Sequence, residues 1–158
     1  MLNARAASLI LALGAMTTVP VAAQTTYRFV PLSPCRIVDT RGPNGPTGGP
    51  YLTHGLGRNF PIIGYCNVPS TAAAAALNLT VVNPSHGGHL TVYPAFTSPP
   101  AVSNLNFDAG QSAVANGAII PLTPGSFNVS GHVVLGCGGC CGCGRADLVI
   151  DVTGYYRQ

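Results

Sequence analysis

The sequence contains no lysine, no glutamate and no tryptophan, and its only acids are Asp39, Asp108, Asp147 and Asp151. Without lysine there is neither a Schiff-base amine nor a lysine general base. Four carboxylates are too few and too scattered for a calcium cage of about six to eight oxygens. A glycosidase pair needs two carboxyls across a cleft, whereas Asp147 and Asp151 lie on one strand face. The lack of tryptophan removes the ring best suited to stacking on sugars. Charged residues make up 7% of the chain and the formal net charge is +3, too weak and dispersed for a nucleic-acid surface. The same balance leaves little repulsion to oppose self-association. No G-x-S-x-G elbow, P-loop or H-E-x-x-H occurs, and no Ser/His/Asp set suggests a triad. A non-catalytic chain without a cofactor is the expectation.

What is present begins with an export signal. Arg5 precedes the apolar run Leu9-Ile10-Leu11-Ala12-Leu13-Gly14-Ala15-Met16, and Val21-Ala22-Ala23 supplies small residues for a signal peptidase. The run is too short to span ~30 Å of hydrocarbon, so residues 1–23 read as a cleaved signal peptide with Gln24 as the new N-terminus. No later stretch is apolar enough to cross a bilayer. Residues 24–158 are then one domain, secreted or held at the cell surface.

That domain reads as all-β. In residues 77–95, Leu77, Leu79 and Val81 alternate with Asn78, Thr80 and Val82. Asn83-Pro84-Ser85-His86-Gly87-Gly88 turns, and Leu90 and Val92 resume the alternation, so a central β-hairpin is expected. Further short strands are expected at 26–32, 36–41, 58–63, 102–108, 113–122, 127–135 and 146–156. The alanines at 72–76 favour helix on propensity but lead into an alternating run, so they are assigned to a strand. Eight or nine strands with no convincing helix predict a single antiparallel β-sandwich, jelly-roll-like. The Gly/Pro-rich residues 42–57 form the longest irregular stretch, a length usually functional or mobile.

Pro34-Cys35-Arg36-Ile37-Val38-Asp39-Thr40-Arg41 resembles the P-C-R-x-x-D-T-R signature of a family of secreted bacterial β-modules. Later blocks agree in order: A-L-N-L-T-V-V from Ala76, L-T-V-Y-P from Leu90, S-N-L-N-F from Ser103, A-N-G-A-I-I-P from Ala115 and D-L-V-I-D-V-T-G-Y-Y from Asp147. Cys66-Asn67-Val68-Pro69 matches a second cysteine of the pattern, and the Cys137 to Cys143 cluster departs from it. The resemblance covers nearly all of residues 24–158. It implies an exported module, and as the family has no established activity it brings no catalytic residues.

Cys35 and Cys66 flank the Gly/Pro stretch, and in an exported chain they are expected to form a disulfide from loop positions; a reactive thiol pair is the alternative. For Cys137, Cys140, Cys141 and Cys143 three readings stay open: local disulfides, disulfides between copies, and a zinc or copper(I) site. Arg36, Asp39 and Arg41 are expected to form a structural charged knot, with Asp39 bridging either arginine or accepting backbone N–H groups. His86 and His89 flank the Gly87-Gly88 turn and read as exposed turn histidines, with metal binding by the close pair as the alternative. Tyr51, His54, Tyr65 and Tyr93 are the candidate ligand surface.

The functional expectation is a structural protein that associates with its own copies or a larger extracellular assembly, a filament or matrix, through its first (26–32) or last (146–156) strand. The alternative is a module that binds cell-wall or exopolysaccharide glycans through residues 42–57. The third reading is metal binding by the cysteine loop.

Overall fold

The computed structural model describes residues 24–123, 128–136 and 143–158. The expected signal peptide lies outside them, as do Cys137, Cys140 and Cys141. The chain forms β1 (Arg28–Asp39), β2 (Gly57–Pro61), β3 (Ala74–Val82), β4 (Gly88–Pro94), β5 (Leu105–Phe107), β6 (Ala113–Pro121), β7 (Asn128–Leu135) and β8 (Asp147–Arg157). They make two four-stranded antiparallel sheets, ordered β1-β8-β3-β6 and β2-β7-β4-β5. Strand pairs β1·β8, β2·β7, β3·β6 and β4·β5 are each hydrogen-bonded, as in a long two-stranded ribbon rolled on itself. Rolling the ribbon then sets β8 beside β3 and β7 beside β4, which is the jelly roll.

Alternation drives this arrangement. Ala75, Leu77, Leu79 and Val81 of β3 are buried while the residues between them are only partly so, and Leu148, Ile150 and Val152 of β8 face the same interior. Phe60, Ile62, Leu90 and Val133 close the core from the opposite sheet. Gly131 on β7 permits the close approach, because a Cβ there would lie 3.1 Å from both Leu148 and Phe60.

Several expectations need correction. The central stretch 77–95 is not a hairpin, since β3 and β4 belong to different sheets. The turn between them is an arch. Its Ser85 N–H donates to the Arg145 carbonyl (2.9 Å), its Pro84 carbonyl accepts from Gly110 (2.8 Å) and Asn83 takes a left-handed φ of 46°. Such turn chemistry reverses the chain but does not state whether the reversed strand pairs with its neighbour or crosses to the facing sheet. The strands expected at 26–32 and 36–41 are one strand, β1, with register breaks between Pro31 and Cys35 and between Arg36 and Val38. The prolines cannot donate to a ladder, and the bulges absorb them. Cys35 therefore sits within a strand rather than in a loop. The alanines entering β3 are strand, as expected.

Cys35 and Cys66 form a disulfide that ties β1 to the connection following β2. Its presence accords with an oxidising compartment. No helix among the described residues is long and apolar enough to cross a membrane. The paired cysteines are 31 positions apart, so replacing both with serine should lower stability by about 3–4 kcal/mol on the chain-entropy argument. Urea unfolding of the oxidised protein and the double variant measures the difference.

Candidate functional site

The outer face of the β1-β8-β3-β6 sheet is split along the strand axis into a charged half and an apolar half. The charged half lies at the end of the β1·β8 pair where β1 finishes and β8 begins. Arg36 on β1 stands opposite Asp151 on β8 and grips it with two bonds, Nε to Oδ1 at 2.8 Å and Nη2 to Oδ2 at 3.3 Å. Its Nη1 reaches Asp39 Oδ2 at 3.5 Å. Arg41 clasps the same Asp39 carboxylate through Nε (2.7 Å) and Nη2 (2.5 Å), and its backbone N–H donates to Oδ1 at 3.2 Å. The buried Thr40 hydroxyl donates to Asp147 Oδ1 (2.9 Å) and accepts from the Leu148 N–H (2.8 Å). The knot foreseen at Arg36, Asp39 and Arg41 thus extends to Asp147, Thr40 and Asp151. Both alternatives for Asp39 hold together, because a carboxylate has enough lone pairs to accept from side chains and backbone alike.

The electrostatics follow from this geometry. The Arg41 side-chain bonds hold the Asp39 carboxyl below the usual aspartate range, assisted by the Arg41 N–H and the Arg36 charge. Asp151 raises Arg36, and Asp39 raises Arg41. Asp147 and Asp151, four apart on one face, are held by different partners, Thr40 and Arg36.

The apolar half lies beyond the knot. Phe29, Tyr156, Ala74 and Pro121 follow one another across β1, β8, β3 and β6. The Phe29 and Tyr156 rings are 5.2 Å apart and tilted by 49°. Phe29 lies over Gly154, where any Cβ would collide with the ring. Tyr27, Phe29 and Ile119 are 49%, 48% and 59% exposed, large fractions for such side chains. Around the small floor of Ala74 and Ala76 they edge two adjoining depressions of about 410 and 450 Å³.

The expected ligand surface does not assemble. Tyr93 is 7% exposed and counts as core. The Nδ1 of His54 accepts the Leu135 N–H at 2.9 Å, so that nitrogen is committed to ending β7. Tyr65 is exposed in the turn before Cys66 and its carbonyl accepts from Val68, whereas Tyr51 lies beneath the Arg145 guanidinium, 5.8 Å from its carbon. Tyr51 borders a depression of about 500 Å³, with Pro50, Thr53, Leu56, Gly57 and Arg58. His86 Nδ1 meets Ser85 Oγ at 2.9 Å, and the described residues hold no group of three or more metal-ligating side chains. Cys143 is in a disulfide, and the other cysteines of its loop lie outside the described residues.

Arg58 is the residue that the sequence reading missed. Its guanidinium donates to the carbonyls of Gly45 (3.3 Å), Gly48 (3.1 Å), Gly49 (3.2 Å) and Pro50, and its carbon lies 4.8 Å from the centre of the Phe60 ring. Burial lowers its pKa. The loop 42–57 is therefore wound around a cation. A glycine-rich, acid-free stretch next to a lone strand arginine was the available signal.

Compared with family models, curated proteins and solved structures, the chain matches none. Fold and site together define a disulfide-linked jelly-roll sandwich whose sheet face is half ion-paired and half bare.

Two outcomes follow. Arg58→Lys should destabilise the protein by about 2–3 kcal/mol and open residues 42–57 to proteolysis, because an ammonium cannot reproduce the fork; denaturation and limited digestion check this. A depressed Asp39 pKa contributes stability above the unfolded-state value, near pH 4, that disappears as pH falls through the folded one. Asp39→Asn should flatten the acid side of a urea-midpoint-against-pH curve.

Proposed function

We propose that this chain is an exported, non-catalytic structural protein that presents a sheet surface and self-associates in an extracellular or cell-surface assembly. The observation that carries this reading is the apolar half of the outer face, where Tyr27, Phe29 and Ile119 stand exposed over an alanine floor. Contiguous bare apolar surface rimmed by polar groups is what contact surfaces look like. The non-catalytic part is supported by the engagement of Asp147 and Asp151 in stitching β1 to β8, and of Asp39 in pairing with its neighbours Arg36 and Arg41. Of the two strands considered for pairing between subunits, β8 is ruled out by its position between β1 and β3. Its hydrogen-bonding edges are both occupied.

A glycan-binding module is the second reading, favoured by the depression beside exposed Tyr51 and by the ordered loop around Arg58. Light scattering and negative-stain imaging of secreted material test the first reading. Concentration-dependent oligomers are expected, and Phe29→Ser with Ile119→Ser should reduce them. A monodisperse monomer showing saturable binding on a glycan array would replace this reading with the second.

A further inference from the structure

The jelly roll leaves four strands at sheet edges, β1 and β6 in one sheet, β2 and β5 in the other. Unpaired edges invite pairing with other chains, and proteins blunt them with bulges, prolines, charges or brevity. Three of these edges are blunted. β1 carries two register breaks, Pro31 and Pro34, and the charges of Arg28, Arg36 and Asp39. β2 is five residues long, carries Arg58 and ends at Pro61, and β5 has three residues. β6 has none of these devices before its last residue. It runs nine residues, Ala-Val-Ala-Asn-Gly-Ala-Ile-Ile-Pro, in unbroken register with β3, with no charge and with six residues exposed.

We propose that β6 is the self-association edge, pairing antiparallel with β6 of a second copy about a two-fold axis through Gly117. This rests on the reading that the chain self-associates, and it names the strand and register that do so. The axis at the middle residue is the register that overlaps all nine residues. It sets Ala115 opposite the partner subunit's Ile119, and Val114 opposite the partner subunit's Ile120, while Gly117 meets its own copy. On the outer face a small side chain meets a large one; on the inner face Val114 meets the partner subunit's Ile120, and Asn116, whose amide donates to the Asn104 carbonyl of its own chain, meets the partner subunit's Ala118. β6 pairs with β3 on one side only, so the backbone groups of its other edge have no strand partner within the sheet. A second copy is the occupant because this edge carries no charge and the register that overlaps all nine residues makes it complementary to itself, with Ala115 against the partner subunit's Ile119 and Val114 against the partner subunit's Ile120. The two four-stranded sheets would join into one continuous sheet, with β1 at both outer ends.

Cysteine scanning of the secreted full chain tests the register. Gly117→Cys should accumulate as a disulfide-linked dimer that reductant splits, whereas Thr153→Cys, on the same sheet but on the internal β8, should not. Ala115→Cys and Ile119→Cys should each stay unlinked alone and link to one another when co-expressed. Gly117→Lys, which sets two like charges face to face, should raise the dimer dissociation constant at least about tenfold. Should that variant fail to fold by circular dichroism, Ala115→Lys replaces it. Wild-type oligomers that survive both lysine variants without any link at 117 overturn the β6 interface while leaving self-association standing. Wild-type protein that stays monomeric at every concentration overturns both.

Discussion

Everything in this fold depends on joining the two ends of the chain. β1 and β8 are the open end of a rolled ribbon, and among the described strands β1 pairs with β8 alone. Arg36 grips Asp151 across the pair, and Thr40 bridges Asp147 and the Leu148 backbone. Asp39 binds both flanking arginines and so helps to orient Arg36 for its bond across to Asp151. Exposed ion pairs of this kind contribute little individually. Their value here is geometric, because β1 carries prolines and register breaks that would otherwise leave its alignment on β8 poorly specified. The Cys35–Cys66 disulfide fixes the other side of the same strand to the loop beyond β2.

That solution shapes the rest of the surface. A chain with four acids places Asp147 and Asp151 across the junction and Asp39 against the arginines beside it. Where the knot ends, the outer face turns apolar within a few rows of residues, from Asp151 and Asn78 to Tyr156 and Ala74. The same scarcity explains why β6 is uncharged while β1 is guarded. Arg58 shows the economy in a different setting, since one cation takes the place of a hydrophobic cluster in ordering a glycine-rich loop by collecting its carbonyls.

Much of this was legible in the residues. Alternation at Leu77, Leu79, Val81 and at Leu148, Ile150, Val152 placed the buried face correctly, because a strand's side-chain period is a local property. The charged knot was legible because its members are neighbours in sequence. Its reach to Asp147 and Asp151 was not, since those partners lie more than a hundred residues away. The hairpin expected at 77–95 was wrong for a related reason: turn residues encode reversal, whereas pairing partners are chosen by the whole ribbon. Tyr93 was taken for surface because polar aromatics on strands usually are, yet the segment around Val102 and Asn104 bonds along β4 and the ring is buried.

The order of residues alone settled the all-β class, the rough positions of the strands apart from the false break within β1, the buried faces of β3 and β8 and a pairable set of cysteines. These depend on local periodicity, backbone restriction at proline and glycine, and residue chemistry. It took the assembled fold to establish that β8 is internal and β6 is an edge, that Arg58 organises a loop, and that the aromatics of two chain ends share one face. Those are facts about which distant segments become neighbours, and rolling the ribbon sets them through contacts that no window of consecutive residues contains.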